Sequence, residues 1–313
     1  MRRRNFLQAL LAGALGALGH RILAHAQSPT SSRLAEGQPS ATAQFTASLR
    51  AAHQLVDHPR IFDDPLALRI IGAQAEAAVR ARAGKGRMAW LRPFVAVRSR
   101  YAEDELARAV QRGVHQYVVL GAGLDTFAYR NPYPGSLLRV FEVDHPATQA
   151  WKHGRLRDTG IAIPDSVTFA AIDFEKQTLA GGLRQAGFRA EESAFFSMLG
   201  VVPYLTRKAA IDTLKVVASL PPGTEIVFDY AIPPATLGEE DRARHDDAAG
   251  VVATRGEPWQ TYFEPATLGA ELRAIGLKQV EDLGPNELHA RYFKSRTDGL
   301  RLPALARLVK AGR

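Results

Sequence analysis

Tyr117-Val118-Val119-Leu120-Gly121-Ala122-Gly123-Leu124-Asp125-Thr126 is the stretch on which the fold turns. A compact apolar run enters a glycine-rich turn directly, which reads as a buried strand followed by a close-approach loop. Glycine has no Cβ and tolerates positive φ, so the backbone there can lie against a ligand. In open α/β sheets ligands bind at the carboxyl ends of strands, where this loop falls. The dinucleotide fingerprint requires a third Gly three residues after the second. Thr126 stands there, which counts against a nicotinamide-dependent oxidoreductase.

Outward from this loop the pattern alternates. Helical periodicity covers Thr46–Val56 and residues 65 into the 80s, is broken at Gly84-Lys85-Gly86, and resumes over Met88–Gln111. Apolar runs follow at Leu137–Val143, Val167–Ile172, Ala194–Leu199 and Glu225–Phe228. Helical windows lie between them at Thr148–Arg157, Lys176–Ala186 and Arg207–Ser219. Strands of this kind alternating with helices predict a parallel sheet covered on both faces. Near the end, Lys278–Leu283 and His289–Phe293 are expected to pair antiparallel across Gly284-Pro285-Asn286.

Acids end the expected strands. Glu142 and Asp144, in Phe141-Glu142-Val143-Asp144-His145-Pro146, close the second; an acid there can accept bonds from both ribose hydroxyls of a nucleoside. Solvated strand-end carboxylates are the alternative. Asp173, before Phe174, closes the third. A carboxylate beside an aromatic suits an adenine, and Asp173 equally suits a helix N-cap. Arg98 and Arg100 precede the loop on a helix; either could pair with a ligand carboxylate, or both could face solvent beside Glu103 and Asp104.

Several chemistries are unsupported. The chain has no Cys, which removes thiol nucleophiles, disulfides and Cys-ligated metals. No His spacing matches a zinc motif, so no metal is expected. Ser197 does not lie in a G-x-S-x-G elbow, and no P-loop occurs. The net charge of +8 divides unevenly: +4 in residues 1–26, +6 in residues 291–313, and −2 between. A basic excess confined to the two ends argues against a nucleic-acid face.

The N-terminus reads as an export signal. Arg3-Arg4-Asn5-Phe6-Leu7 fits the twin-arginine pattern, an apolar run reaches Leu18, and Ala24-His25-Ala26 offers a cleavage site after Ala26. That run is too short for a membrane span of about 20 apolar residues. Residues 27–44 read as a disordered linker, and 45–313 as a single domain with a helical cap over 45–112 and a core over 113–300.

The ordered set of motifs resembles the leucine carboxyl methyltransferase-like family of class I S-adenosylmethionine-dependent methyltransferases. It comprises Val119 to Thr126, Phe141 to Pro146, Ile61-Phe62-Asp63-Asp64-Pro65-Leu66-Ala67, Val97-Arg98-Ser99-Arg100-Tyr101, Asp282-Leu283-Gly284-Pro285 and Ala290-Arg291-Tyr292-Phe293, across residues 45–300. The resemblance implies a Rossmann-like sheet, mostly parallel with an antiparallel terminal strand, helices on both faces and extra N-terminal helices over the site. It implies S-adenosyl-L-methionine as cofactor. Arg98 matches the residue that holds the methionyl carboxylate; Gly121, Ala122, Gly123 and Gly200 match ligand-lining positions; Asp144 matches the ribose acid; Asp173 and Phe174 match the adenine side. Tyr204 is expected on the substrate side. The family often carries Glu where this chain has Leu199.

The expected activity is therefore methyl transfer to the oxygen of a small-molecule or carboxylate-bearing acceptor. A nicotinamide-dependent oxidoreductase and a non-catalytic nucleoside-binding descendant are the alternatives. An export signal implies a periplasmic or exported location reached through the Tat machinery, whereas the supply of S-adenosylmethionine favours the cytoplasm.

Overall fold

The computed structural model describes residues 40–313 apart from 83–84 and 174–175. The twin-arginine segment, most of the expected linker and Phe174 lie outside the described residues. The chain begins with α1 (Ala41–Val56), α2 (Ala67–Ile70), α3 (Ala73–Arg82) and α4 (Arg92–Gln111). Next come β1 (Gln116–Leu120), β2 (Arg139–Asp144), α5 (Pro146–Asp158), β3 (Val167–Ala171), α6 (Leu179–Gln185) and β4 (Phe195–Met198). The remainder is α7 (Arg207–Ala218), β5 (Glu225–Ala231), α8 (Glu239–Thr254), α9 (Pro265–Ala274), β6 (Gln279–Leu283), α10 (Pro285–Tyr292) and β7 (Ala306–Gly312).

The seven strands form one sheet in the order β3-β2-β1-β4-β5-β7-β6. The first five run parallel, and β7 is antiparallel to both its neighbours. Strand order reverses between β1 and β4, which makes the carboxyl edge there the switch point of the sheet. Alternation along the strands sorts residues to two cores. Tyr117, Val119, Phe195 and Val227 pack under α4, through residues such as Val97, Tyr101 and Leu106. Val118, Leu120, Phe196 and Phe228 pack under α6, α7 and α9. A third cluster joins Ala47 and Ala51 of α1 to Ile70, Leu124 and Leu156.

Four expectations need correcting. The linker does not reach residue 44, because Ser40 caps α1 by accepting from the Ala43 N–H and the helix starts at Ala41. The helical pattern after Pro65 is two helices with Gly72 at the break, where φ is 82°. His289–Phe293 is not a strand. Pro285 opens α10, and the Glu287 carboxylate accepts from the Gly284 N–H, so the chain turns into a helix there. The true partner of β6 is β7, which lies inside the sheet, so the core runs to Gly312 instead of stopping at 300.

Candidate functional site at the switch point

The loop after β1 is held against β2. The N–H groups of Gly121 and Ala122 both donate to the Val143 carbonyl, at 2.8 and 3.1 Å. The next donor, Gly123 N–H, reaches the Asp144 carboxylate at 2.6 Å, and the other Asp144 oxygen accepts from His145 N–H at 2.7 Å. Asp144 thus ends β2 pointing at the glycine turn. Burial pushes its carboxyl above the ordinary value, against the two N–H bonds that favour ionisation. Gly121 has φ +67°, and a Cβ there would sit 2.4 Å from Cγ2 of Val201, so glycine is required both for the turn and for the close approach of the loop after β4.

Across the switch point lies a second cluster. Asp229 on β5 pairs with Arg98 of α4 at 3.2 Å and accepts from the Gly200 N–H at 2.5 Å. Gly200 has φ +70°, and a Cβ would fall 2.6 Å from an Arg98 nitrogen, so the guanidinium occupies the space this glycine leaves. Tyr204 follows. Burial raises the pKa of its phenol, against the neighbouring Trp259 and Thr42 side chains and the positive charge of Arg98, which lower it.

The cap closes over both clusters. Glu257 accepts from the first N–H groups of α1, Ala41 at 3.2 Å and Thr42 at 2.9 Å. The same helix brings the Ala43 Cβ to 3.0 Å from where a Cβ on Gly123 would lie. Asp64 is fully enclosed. It accepts from Arg50 and from the Thr126 hydroxyl, both at 2.7 Å, while Arg50 also donates to the Leu124 carbonyl at 2.6 Å. Thr126, the residue that breaks the dinucleotide fingerprint, is the tie between cap and loop.

The structure brings Arg98, Gly121, Ala122, Gly123, Asp144, Gly200 and Tyr204 to one edge of the sheet. Glu142 is separated from them. It is buried against Lys152 at 2.7 Å and accepts from the Tyr129 hydroxyl at 2.8 Å, so only Asp144 faces the loop. Asp173 meets Lys176 at 2.7 Å. It does not cap α6, whose N-cap is Thr178. Arg100 pairs with Asp104 on the exposed face of α4. Arg50, Asp229 and Glu257 were not singled out in the sequence, and Asp64 stood in a family-like segment without a role; Asp229, an acid within the apolar run Ile226–Tyr230, carried the clearest signal of the three. Among the described residues no group of three or more His, Asp or Glu side chains could hold a metal ion, and no helix is long and apolar enough to cross a membrane.

This strand order, with a glycine loop after β1 and an acid at the end of β2, defines a class I methyltransferase sheet. The leucine carboxyl methyltransferase family model matches residues 43–218, and the chain belongs to that family. A Bacillus subtilis (strain 168) protein, YktD, named provisionally as an S-adenosyl-L-methionine-dependent methyltransferase, is 33% identical over 289 residues, covering 85% of this chain and 95% of its own. A Parafrankia sp. (strain EAN1pec) protein of the same provisional name is 35% identical over 238 residues, covering 73% of this chain and 74% of its own. A solved Thermobifida fusca YX structure, described provisionally as a methyltransferase, shares the fold with a TM-score of 0.55 at 14% identity, over 90% of this chain and 97% of its own. The chain is accordingly an S-adenosylmethionine-dependent methyltransferase.

Proposed function

We propose that this chain transfers a methyl group to an oxygen atom of a small acceptor, either a carboxylate or a hydroxyl. The observation that carries the cofactor reading is Asp144, a carboxylate fixed by two backbone N–H groups at the switch point and facing a turn whose two glycines carry no side chains of their own. The residues fit the cofactor. Asp144 would accept from the ribose hydroxyls, Gly121, Ala122 and Gly123 would let the backbone lie along the ligand, and Arg98 would hold the methionyl carboxylate while Asp229 keeps its guanidinium in place. Asp173 and Phe174 are assigned to the adenine side, and Tyr204 to the acceptor side. When bound, the sulfonium supplies an electrophilic methyl group.

The protein's task is then alignment. Holding two reactants in line can supply about 7–11 kcal/mol of a barrier. The cap is fixed for that task, with α1 pinned through Glu257 and the loop through Asp64. A carboxylate acceptor, ionised at neutral pH, needs no base; a hydroxyl acceptor does.

Calorimetry tests the cofactor reading. Wild type is expected to bind S-adenosylmethionine, and Asp144→Ala to bind it about 10- to 100-fold more weakly, the worth of a hydrogen bond to a charged group. Equal binding by both proteins, or none by wild type, refutes the assignment. Export by the twin-arginine route is proposed on the sequence alone; fractionation with N-terminal sequencing tests it, and an intact N-terminus in the cytoplasm overturns it.

A further inference from the structure

We propose that Asp246, His245 and Tyr262 form a proton relay for a hydroxyl-bearing acceptor, which would make this chain a methyltransferase of phenolic or alcoholic oxygen instead of carboxylate. The inference rests on the methyl-transfer reading above and narrows its acceptor.

His245 of α8 is 4% exposed, and both ring nitrogens have partners. Nδ1 lies 2.8 Å from a carboxylate oxygen of Asp246, and Nε2 lies 2.9 Å from the Tyr262 hydroxyl. A carboxylate can only accept, so Nδ1 carries the proton and Nε2 accepts from the phenol. The order carboxylate, imidazole, hydroxyl is the one that lets a histidine take a proton from an oxygen while the acid steadies the imidazolium. The neighbouring charges are engaged elsewhere. Arg244 pairs with Glu240 and Asp247 with Arg87, which leaves Asp246 as the carboxylate facing the ring.

The relay stands at the correct edge of the sheet. Gln260 N–H donates to the Pro203 carbonyl at 2.6 Å and Phe263 N–H to the Ala231 carbonyl at 3.0 Å, so the segment between them crosses the carboxyl ends of β4 and β5. Phe263 turns into the core under α7 and α9. Tyr262 turns the other way and packs against the same cluster as Leu199 and Trp90. Leu199 precedes Gly200, which abuts Arg98. Trp259 packs with its ring 5.5 Å from His245, and the next residue, Gln260, donates its side-chain amide to the Tyr204 carbonyl at 3.0 Å, which joins the two groups. Tyr262 is half-buried and lines an open surface cleft with Thr206, Arg207, Gln260 and Thr261. A carboxylate acceptor would need no such relay, and the side chain preceding Gly200 is apolar Leu199.

The step balances. As the acceptor oxygen forms its bond to the methyl carbon, the S–CH3 bond breaks and its electrons return to sulfur. The hydroxyl proton passes to the Tyr262 oxygen while the phenol proton passes to His245 Nε2, leaving an imidazolium paired with Asp246.

Two measurements test this. Proton–nitrogen correlation spectra of the unliganded chain are expected to report His245 protonated at Nδ1 and bare at Nε2; the opposite tautomer overturns the relay, because such a ring cannot accept. Radiolabelled methyl transfer to 2-naphthol, 4-nitrophenol and 2-naphthoate is then compared at mildly alkaline pH, where 4-nitrophenol is ionised and 2-naphthol is not. In Tyr262→Phe and His245→Asn the ratio of 2-naphthol to 4-nitrophenol turnover is expected to fall about 100-fold, at the lower end for a lost general base. An unchanged ratio marks a packing histidine and overturns the proposal, as does methylation of 2-naphthoate alone or of no probe by a chain that binds the cofactor. Failure of wild type to bind the cofactor instead refutes the reading beneath it. Calorimetric cofactor affinity serves as the check that the variants are folded.

Discussion

Replacing Asp64 by Asn tests how the cap holds the glycine loop. The carboxylate has no exposed side-chain surface and lies 2.7 Å from Arg50, itself 6% exposed, and 3.4 Å from Arg130. Asn keeps the shape and the acceptor for the Leu66 N–H, but it removes the charge and leaves Arg50 without an acidic partner. Removing one member of a buried pair costs about 3–5 kcal/mol. The low end applies here because Arg130 retains Glu103, so about 3 kcal/mol is expected. For a domain of this size that lowers the melting temperature by roughly 6–12 °C.

The pH dependence follows from the same contacts. Burial alone would raise the Asp64 pKa, but Arg50, Arg130, the Thr126 hydroxyl and the Leu66 N–H outweigh it and hold the carboxyl below its ordinary value. A folded-state pKa lowered in this way gives stability that is present above the unfolded value, near pH 4, and lost as pH falls through the folded one. The gap between wild type and Asp64→Asn is therefore expected to be widest at neutral pH and to narrow below about pH 4. Urea unfolding of both proteins across pH measures it. A neutral-pH difference under about 1 kcal/mol, typical of an exposed pair, would refute the buried-tie argument. So would a gap that widened on acidification.

Three further outcomes are expected. Gly200→Ala places a Cβ 2.6 Å from an Arg98 nitrogen at φ +70°, so calorimetry should show weakened cofactor binding along with a stability loss of about 1–2 kcal/mol for the left-handed backbone; unchanged binding would separate Arg98 from the ligand. Arg98→Met should abolish measurable binding while leaving the circular dichroism spectrum folded, and retention of full affinity would remove Arg98 from the site. Glu257→Ala frees the first donors of α1, costing about 0.5–2 kcal/mol as a lost cap, and should raise amide exchange at the start of α1; unchanged exchange would show that the helix is held without Glu257.

Much of the fold was legible locally. The parallel strands are short apolar runs, and their residues match β1 to β5 because buried parallel strands have both faces covered and leave little else for such a run to be. Pro146 at the start of α5 and the glycine loop after β1 are determined by backbone sterics within a few residues. The end of the chain differs from its sequence pattern because local patterning there is ambiguous. His289–Phe293 carries a short apolar pattern that either period accommodates, and only the cap at Gly284 and the pairing of β6 with residues more than twenty positions downstream exclude a hairpin.

By itself, the sequence determined the strand-loop-strand unit from Gln116 to Asp144, the glycines at 121, 123 and 200, and the family to which those residues point. These depend on Cβ sterics and on spacing along one stretch of chain. The tertiary structure decided which acids do what. Glu142 and Asp144 are two residues apart on one strand, yet Lys152 encloses the first while Gly123 draws the second to the loop. Asp64 reaches Thr126 and Asp229 reaches Arg98 only because segments distant in sequence pack at one edge of the sheet, and His245 meets Tyr262 only because the chain folds back after α8. A charge acquires its role from the partner that burial forces upon it, and that partner is chosen by packing across the whole domain.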